Sequence, residues 1–152
     1  MRIYLDVDGV LSPMGAENPD FLDWCPAGPG AYSPTLMAEV ADLGLERHWL
    51  TSWRTSANST YGRYAGWPEL PVVRRPPGGG WWKLHGLVRV HPAGEPLVWV
   101  DDDLASYLYE RGYEDYVAER VGAPVLLVSP TPSVGLTRNH LARIRERTAS
   151  KG

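Results

Sequence analysis

The sequence predicts an α/β fold of three layers, with helices on both faces of a central, mostly parallel five-stranded sheet. Two observations predict it. Short apolar runs at 2–7, 48–50, 70–74, 97–100 and 124–128 alternate with segments of helical pattern, and continuous apolar strands alternating with helices belong to parallel sheets covered on both sides. The chain has 152 residues, enough for one domain and too few for two ordinary ones, so residues 1–152 are expected to form a single domain.

Each element has its own signal. Residues 2–7 are β-branched or aromatic enough for a strand, which ends at Asp6-Val7-Asp8-Gly9. Residues 12–33 hold four prolines, Pro13, Pro19, Pro26 and Pro29, among glycine and asparagine breakers, and read as one long irregular loop. Ser33-Pro34 is a helix start, with serine as cap and proline at the first helical position. Leu36, Met37, Val40 and Leu43 then share one face, and Gly44 ends the helix. His48-Trp49-Leu50 is the core of a strand that ends in Thr51-Ser52. Residues 54–64 read as a polar helix, 70–74 as another strand and Pro76-Pro77-Gly78-Gly79-Gly80 as a loop. Residues 81–90 follow as a helix. The strand 97–100 ends in Asp101-Asp102-Asp103, where Asp103 suits the cap of the next helix. Residues 104–111 and 113–121 are helical or turn-like, 124–128 is the last strand, and Thr137 caps a final helix to Arg147 with Leu141 and Ile144 facing inward. The arginines of that helix read as a solvated face.

Composition narrows the function classes. Apolar residues are 43% and charged residues 22%, as in an ordinary soluble domain. The net charge of −3 argues against a general nucleic-acid binder. Cys25 is the only cysteine, so no intrachain disulfide forms, and its proline-rich surroundings do not activate a thiolate. The four histidines are scattered without zinc-ligand spacing. No apolar run is long enough to span a bilayer, and the N-terminal stretch carries acids, unlike a secretory signal. The expectation is a cytoplasmic protein without a membrane partner. Of the basic residues 13 are arginine, and Lys83 is the only lysine outside the tail residue Lys151. A compact ammonium and a planar fork are not interchangeable, so Lys83 marks a place where arginine does not serve.

In open parallel sheets ligands bind beyond the C-terminal ends of the strands. Asp6 and Asp8 end the first strand, Thr51 and Ser52 the second, and Asp101 and Asp102 the fourth, with Lys83 opening a helix after the glycine-rich loop. Two carboxylates as close as Asp6 and Asp8 repel unless a cation or a shared proton compensates. A hard divalent cation with oxygen ligands, such as Mg²⁺, suits them. Singly, each feature is also explained by strands that exit into solvent through polar residues. Together, carboxylates with a cation, a hydroxyl donor and one ammonium make a site for a phosphoryl group. An aspartate can itself be the nucleophile there.

The segment Leu5-Asp6-Val7-Asp8-Gly9-Val10-Leu11 resembles motif I of the haloacid dehalogenase superfamily, whose phosphatases carry D-x-D-G-x-L after the first strand. Trp49-Leu50-Thr51-Ser52 is similar to motif II, Lys83 to motif III and Trp99-Val100-Asp101-Asp102-Asp103 to motif IV, in the family's order over residues 2 to about 130. The resemblance implies a Rossmann-like fold and a Mg²⁺-dependent phosphohydrolase acting on a phosphomonoester through an aspartyl-phosphate. Asp6 would be the nucleophile and Asp8 the general acid and base. Thr51, with Ser52 and Arg54 beside it, would bind the phosphoryl group, and Lys83 would neutralise its charge. The metal would be held by Asp6, the backbone carbonyl of Asp8, and one of Asp101 and Asp102, with Asp102 preferred by register and Asp101 in support.

Neither gap between motifs holds a full cap domain, so an open site is expected. Open sites suit large phosphorylated substrates. The 12–33 loop would serve as a partial lid through Phe21 and Trp24, or those aromatics pin it to the core. Trp53, Trp81 and Trp82 could stack a base while Arg54 or the Arg74-Arg75 pair meets phosphates, which admits a nucleotide or a nucleic-acid end as substrate. The alternative is a non-catalytic module of the same fold that binds phosphorylated ligands. A receiver domain is disfavoured because Lys83 precedes the second acid cluster, and a D-x-D glycosyltransferase because Asp6 comes too early in a short chain.

Overall fold

The computed structural model describes residues 1–15, 18–108 and 112–150. In chain order the elements are β1 (Arg2–Leu5), β2 (Cys25–Ala27), β3 (Gly30–Tyr32), α1 (Pro34–Ala41) and β4 (Glu46–Trp49). A π-helical turn (Asn58–Gly62) follows, then α2 (Trp82–Val90), β5 (Leu97–Val100), α3 (Leu104–Leu108), α4 (Tyr113–Val121), β6 (Val125–Val128) and α5 (Arg138–Ala149).

Four strands form a parallel sheet in the order β4-β1-β5-β6. The register pairs Leu5 with both Trp49 and Val100, and Val100 with Val128. The ladder continues one residue further, with Asp6 N–H donating to Val100 O (3.2 Å), Leu50 N–H to Leu5 O (2.9 Å) and Asp101 N–H to Val128 O (3.1 Å). Asp6, Leu50 and Asp101 therefore leave the sheet side by side on its C-terminal edge.

Strand pleating divides the core in two. Ile3, Leu5, Val98, Val100, Leu126 and Val128 face the side covered by α1 and α5, with Leu36, Met37, Val40, Leu141 and Ile144 beneath them. Tyr4, Leu97, Trp99, Val125 and Leu127 face the side covered by α2 and α4, against Leu84, Leu87, Val117 and Val121. The three layers are those expected. Trp99 is fully buried and stacks on Trp81 at 5.0 Å between ring centroids. Removing so large a buried side chain costs roughly 3–5 kcal/mol.

The caps behave as read. Ser33 Oγ accepts from Leu36 N–H at 3.0 Å, and Thr137 caps α5 in a capping box completed by His140. Three expectations are corrected. The fifth strand, 70–74, is reduced to a single parallel bridge between Val72 and Trp49. Pro71 has no N–H to extend the ladder, although its carbonyl accepts from Trp49 N–H at 2.9 Å. The 12–33 stretch is not wholly irregular, since β2 and β3 pair antiparallel within it. Asp103 makes no side-chain cap bond among the described residues, and its N–H donates to Asp101 instead. The end of the helix expected over 104–111 lies partly outside the described residues, as does Lys151. No described helix is long and apolar enough to cross a membrane.

Candidate active site

Lys83 is the centre of the constellation. It begins α2 on the second face of the sheet, and its side chain is only 6% exposed. Nζ donates to Asp6 Oδ2 at 3.0 Å and to Asp101 Oδ2 at 2.6 Å. The other oxygens are also engaged, Asp6 Oδ1 by Val7 N–H (2.8 Å) and Asp101 Oδ1 by Asp103 N–H (2.8 Å). Burial would push the ammonium's pKa down, but the attraction of Asp6 and Asp101 outweighs it and the value is raised. Lys83 is thus held as a cation, and its compact ammonium sits between two carboxylates in an otherwise arginine-rich chain.

One ammonium does not offset the carboxylates that converge there. One oxygen from each of Asp6, Asp101 and Asp102 lies within 4.8 Å of the other two. Burial first, and Asp6 second, push Asp101 up from the ordinary carboxylate range. Burial, then Asp103 and Asp6, push Asp102 up to about 6. Asp102 is half-buried and packed against Gly9. Gly9 has φ +72°, and a Cβ there would come within 2.4 Å of Asp102 Oδ2. Glycine is therefore required twice, for the left-handed turn and for the room that Asp102 occupies.

The remaining predicted residues divide. Thr51 is fully buried just beyond the end of β4, its Oγ1 accepting from Trp53 N–H at 3.2 Å. Asp8, Ser52 and Arg54 are exposed. The Asp8 carboxylate stands apart from the three clustered acids, so its side chain is not part of the candidate metal set. It accepts from Trp53 Nε1–H at 3.0 Å. This role of Trp53 was missed at the level of sequence, where only its ring was weighed. The signal was its place directly after Thr51-Ser52, where the chain turns back toward the first strand.

The aromatic lid and stacking surface are not found. Phe21 is buried in the core, and Trp24 packs beside it edge-on with its Nε1–H donating to Phe21 O. Asn18 ties the same stretch to Val134 O and Leu136 O at 2.9 and 2.8 Å. None of the seven tryptophans is exposed. Trp81 lies on Trp99, and Trp53 packs edge-on against Tyr61. No family model, curated protein or solved structure matches the chain.

A buried carboxylate paired with an ammonium, an exposed carboxylate and a threonine hydroxyl thus share one sheet edge. That set is equipped to take a phosphoryl group from an alcohol oxygen and pass it to water.

Proposed function

We propose that this chain is a Mg²⁺-dependent phosphohydrolase of the haloacid dehalogenase type, with that family's Rossmann-like fold and no full cap domain. The observation that carries the reading is Lys83 Nζ bridging Asp6 and Asp101, three residues far apart in sequence, at the C-terminal edge of a parallel sheet.

Asp6 attacks phosphorus through a carboxylate oxygen, and the bond to the leaving alcohol oxygen breaks. Asp8, exposed and steadied by Trp53, gives that oxygen a proton. The product is an aspartyl-phosphate on Asp6. Asp8, now a carboxylate, takes a proton from water, which attacks phosphorus and returns Asp6 free with inorganic phosphate. Thr51 Oγ1–H and Lys83 Nζ oppose the negative charge on the equatorial oxygens.

The donor set fits a hard divalent cation: it is all oxygen, its carboxylates are clustered, and Asp102 at about 6 lacks a full counter-charge. Asp6 and Asp102 would hold the ion with Asp101 in support, since Asp102 is the one carboxylate of the three to which Lys83 does not donate. When bound, the ion would screen the charge between Asp6 and the incoming phosphate.

The test is hydrolysis of p-nitrophenyl phosphate with and without Mg²⁺, by the wild type and by Asp6→Asn. Metal-dependent turnover that Asp6→Asn abolishes is expected. Full activity in Asp6→Asn would refute the nucleophile, and phosphate binding without turnover in the wild type would leave a binding module.

A further inference from the structure

At the β4 edge of the sheet lies a groove of about 580 Å³ whose lining includes Arg54, Arg74, Arg75, Asn58 and Leu70, within the size range of small-molecule pockets. Its position follows from register. Val72 bridges Trp49, and Arg74 and Arg75 follow Val72 in the chain as Thr51 and Ser52 follow Trp49. Arg54 follows the same Thr51-Ser52 pair. All three arginines line the groove, each close in the chain to one side of the Val72–Trp49 bridge.

The walls of the groove are built. Asn58 Oδ1 accepts from Leu70 N–H and from Trp49 Nε1–H, each at 2.9 Å, and Asn58 Nδ2–H donates to Leu70 O at 2.9 Å. On the other side α2 presses against the same edge, since a Cβ on Gly86 would come within 2.9 Å of Val73 Cγ1 and 3.2 Å of Arg74 O. Arg54 has φ +53° and is the only non-glycine with positive φ among the described residues. That conformation is held at a cost, of the kind that accumulates at functional positions.

The charge of the groove is net positive. Arg54, Arg74 and Arg75 are exposed, and none forms an ion pair among the described residues. Three of the four arginines of α5 do find partners: Arg138 reaches Glu39, and Arg143 and Arg147 reach Glu114. Glu69, the only acid lining the groove, leaves an excess of positive charge. Planar guanidinium forks recognise phosphate in bidentate fashion.

We infer that this groove binds a second phosphate of the substrate, so that the enzyme acts on phosphomonoesters carrying at least one further phosphate group. The inference rests on the phosphohydrolase reading for the place of the first phosphate. The second phosphate is held, not transferred, and supplies binding that positions the reacting ester.

The probes are 1,3-propanediol and 1,6-hexanediol bisphosphates, each compared with its own monophosphate. In the wild type at least one bisphosphate is expected to exceed its monophosphate in kcat/KM by about tenfold to a hundredfold, the worth of one or two charge-assisted hydrogen bonds. In R74A/R75A that ratio falls to about one, and Arg75→Glu takes it below one, whereas R143A/R145A on α5 leaves it as in the wild type. An unchanged ratio in R74A/R75A, or an equal loss in R143A/R145A, overturns the groove. If the wild type turns over monophosphates with no bisphosphate preference, the groove fails and the phosphohydrolase reading stands. If nothing is turned over, calorimetric binding of 1,6-hexanediol bisphosphate decides: binding lost in R74A/R75A keeps the groove while the catalytic reading falls, and equal or absent binding in both proteins refutes it.

Discussion

Replacing Lys83 with methionine keeps the length and removes the ammonium, so it measures what one cation does between two buried acids. The ion pairs are 3.0 and 2.6 Å long, and the three side chains are 6%, 8% and 0% exposed. At an effective permittivity of about 20 each pair is worth roughly 6 kcal/mol in gross attraction. Most of this offsets desolvation, and the net loss on stranding buried charge is about 3–5 kcal/mol. For a domain of this size that corresponds to a fall of about 6–20 °C in the thermal midpoint. Asp6, Asp101 and Asp102 then face one another with no counter-charge, so excess Mg²⁺ should restore more of the midpoint in Lys83→Met than it adds to the wild type. Hydrolysis of p-nitrophenyl phosphate should fall by about 10²–10³ in kcat, the usual cost of removing one donor from a developing anion. Thermal unfolding followed by circular dichroism in chelator and in excess Mg²⁺, together with the rate assay, reads all three. A midpoint within about 2 °C of the wild type, where 1 kcal/mol moves it about 2–4 °C, would refute the reasoning, because the two ion pairs would then be carrying no net load.

Three further outcomes follow from the same geometry. Gly9→Ala brings a Cβ to within 2.4 Å of Asp102 Oδ2 at φ +72°, so it should lower stability by about 1–3 kcal/mol and weaken Mg²⁺ binding, both readable by calorimetry. Asn58→Ala strands Leu70 N–H and Trp49 Nε1–H and should cost about 2–4 kcal/mol in urea unfolding, while Asn58→Asp, which keeps the acceptor, should recover part of it. His48 is buried on Tyr4 with its pKa pushed below 6.5, chiefly by burial, so the unfolded chain binds its proton more readily than the folded one. The His48 contribution to stability is therefore lost as pH falls through 6.5, so the midpoint of His48→Phe relative to the wild type should rise between pH 7 and pH 5; an unchanged difference would refute this.

The layers and the site edge were legible because both depend on short-range signals. A buried parallel strand reads as a continuous apolar run, and the acid that follows it marks the sheet edge, so Asp6, Thr51 and Asp101 could be placed on one line from sequence alone. The fifth strand was misread for the same reason. Residues 70–74 carry the apolar signal, but pairing depends on an N–H that Pro71 lacks, and propensity does not count donors. Trp53 was misjudged because its value lies in one indole N–H aimed at Asp8, a contact set by a turn rather than by any periodicity.

The same limit explains why the sequence left open which of Asp101 and Asp102 would touch a metal, while the fold sets the two side chains apart. Adjacent acids after a strand point to opposite faces. Asp101 turns toward α2, where Lys83 waits, and Asp102 turns toward the first loop, where Gly9 makes room for it. Which face carries the lysine is decided by the side on which α2 packs, a long-range fact. Once that side is known, the three acids separate: Asp6 and Asp101 share the Lys83 ammonium, and Asp102 is left as the carboxylate of the cluster to which that ammonium does not donate.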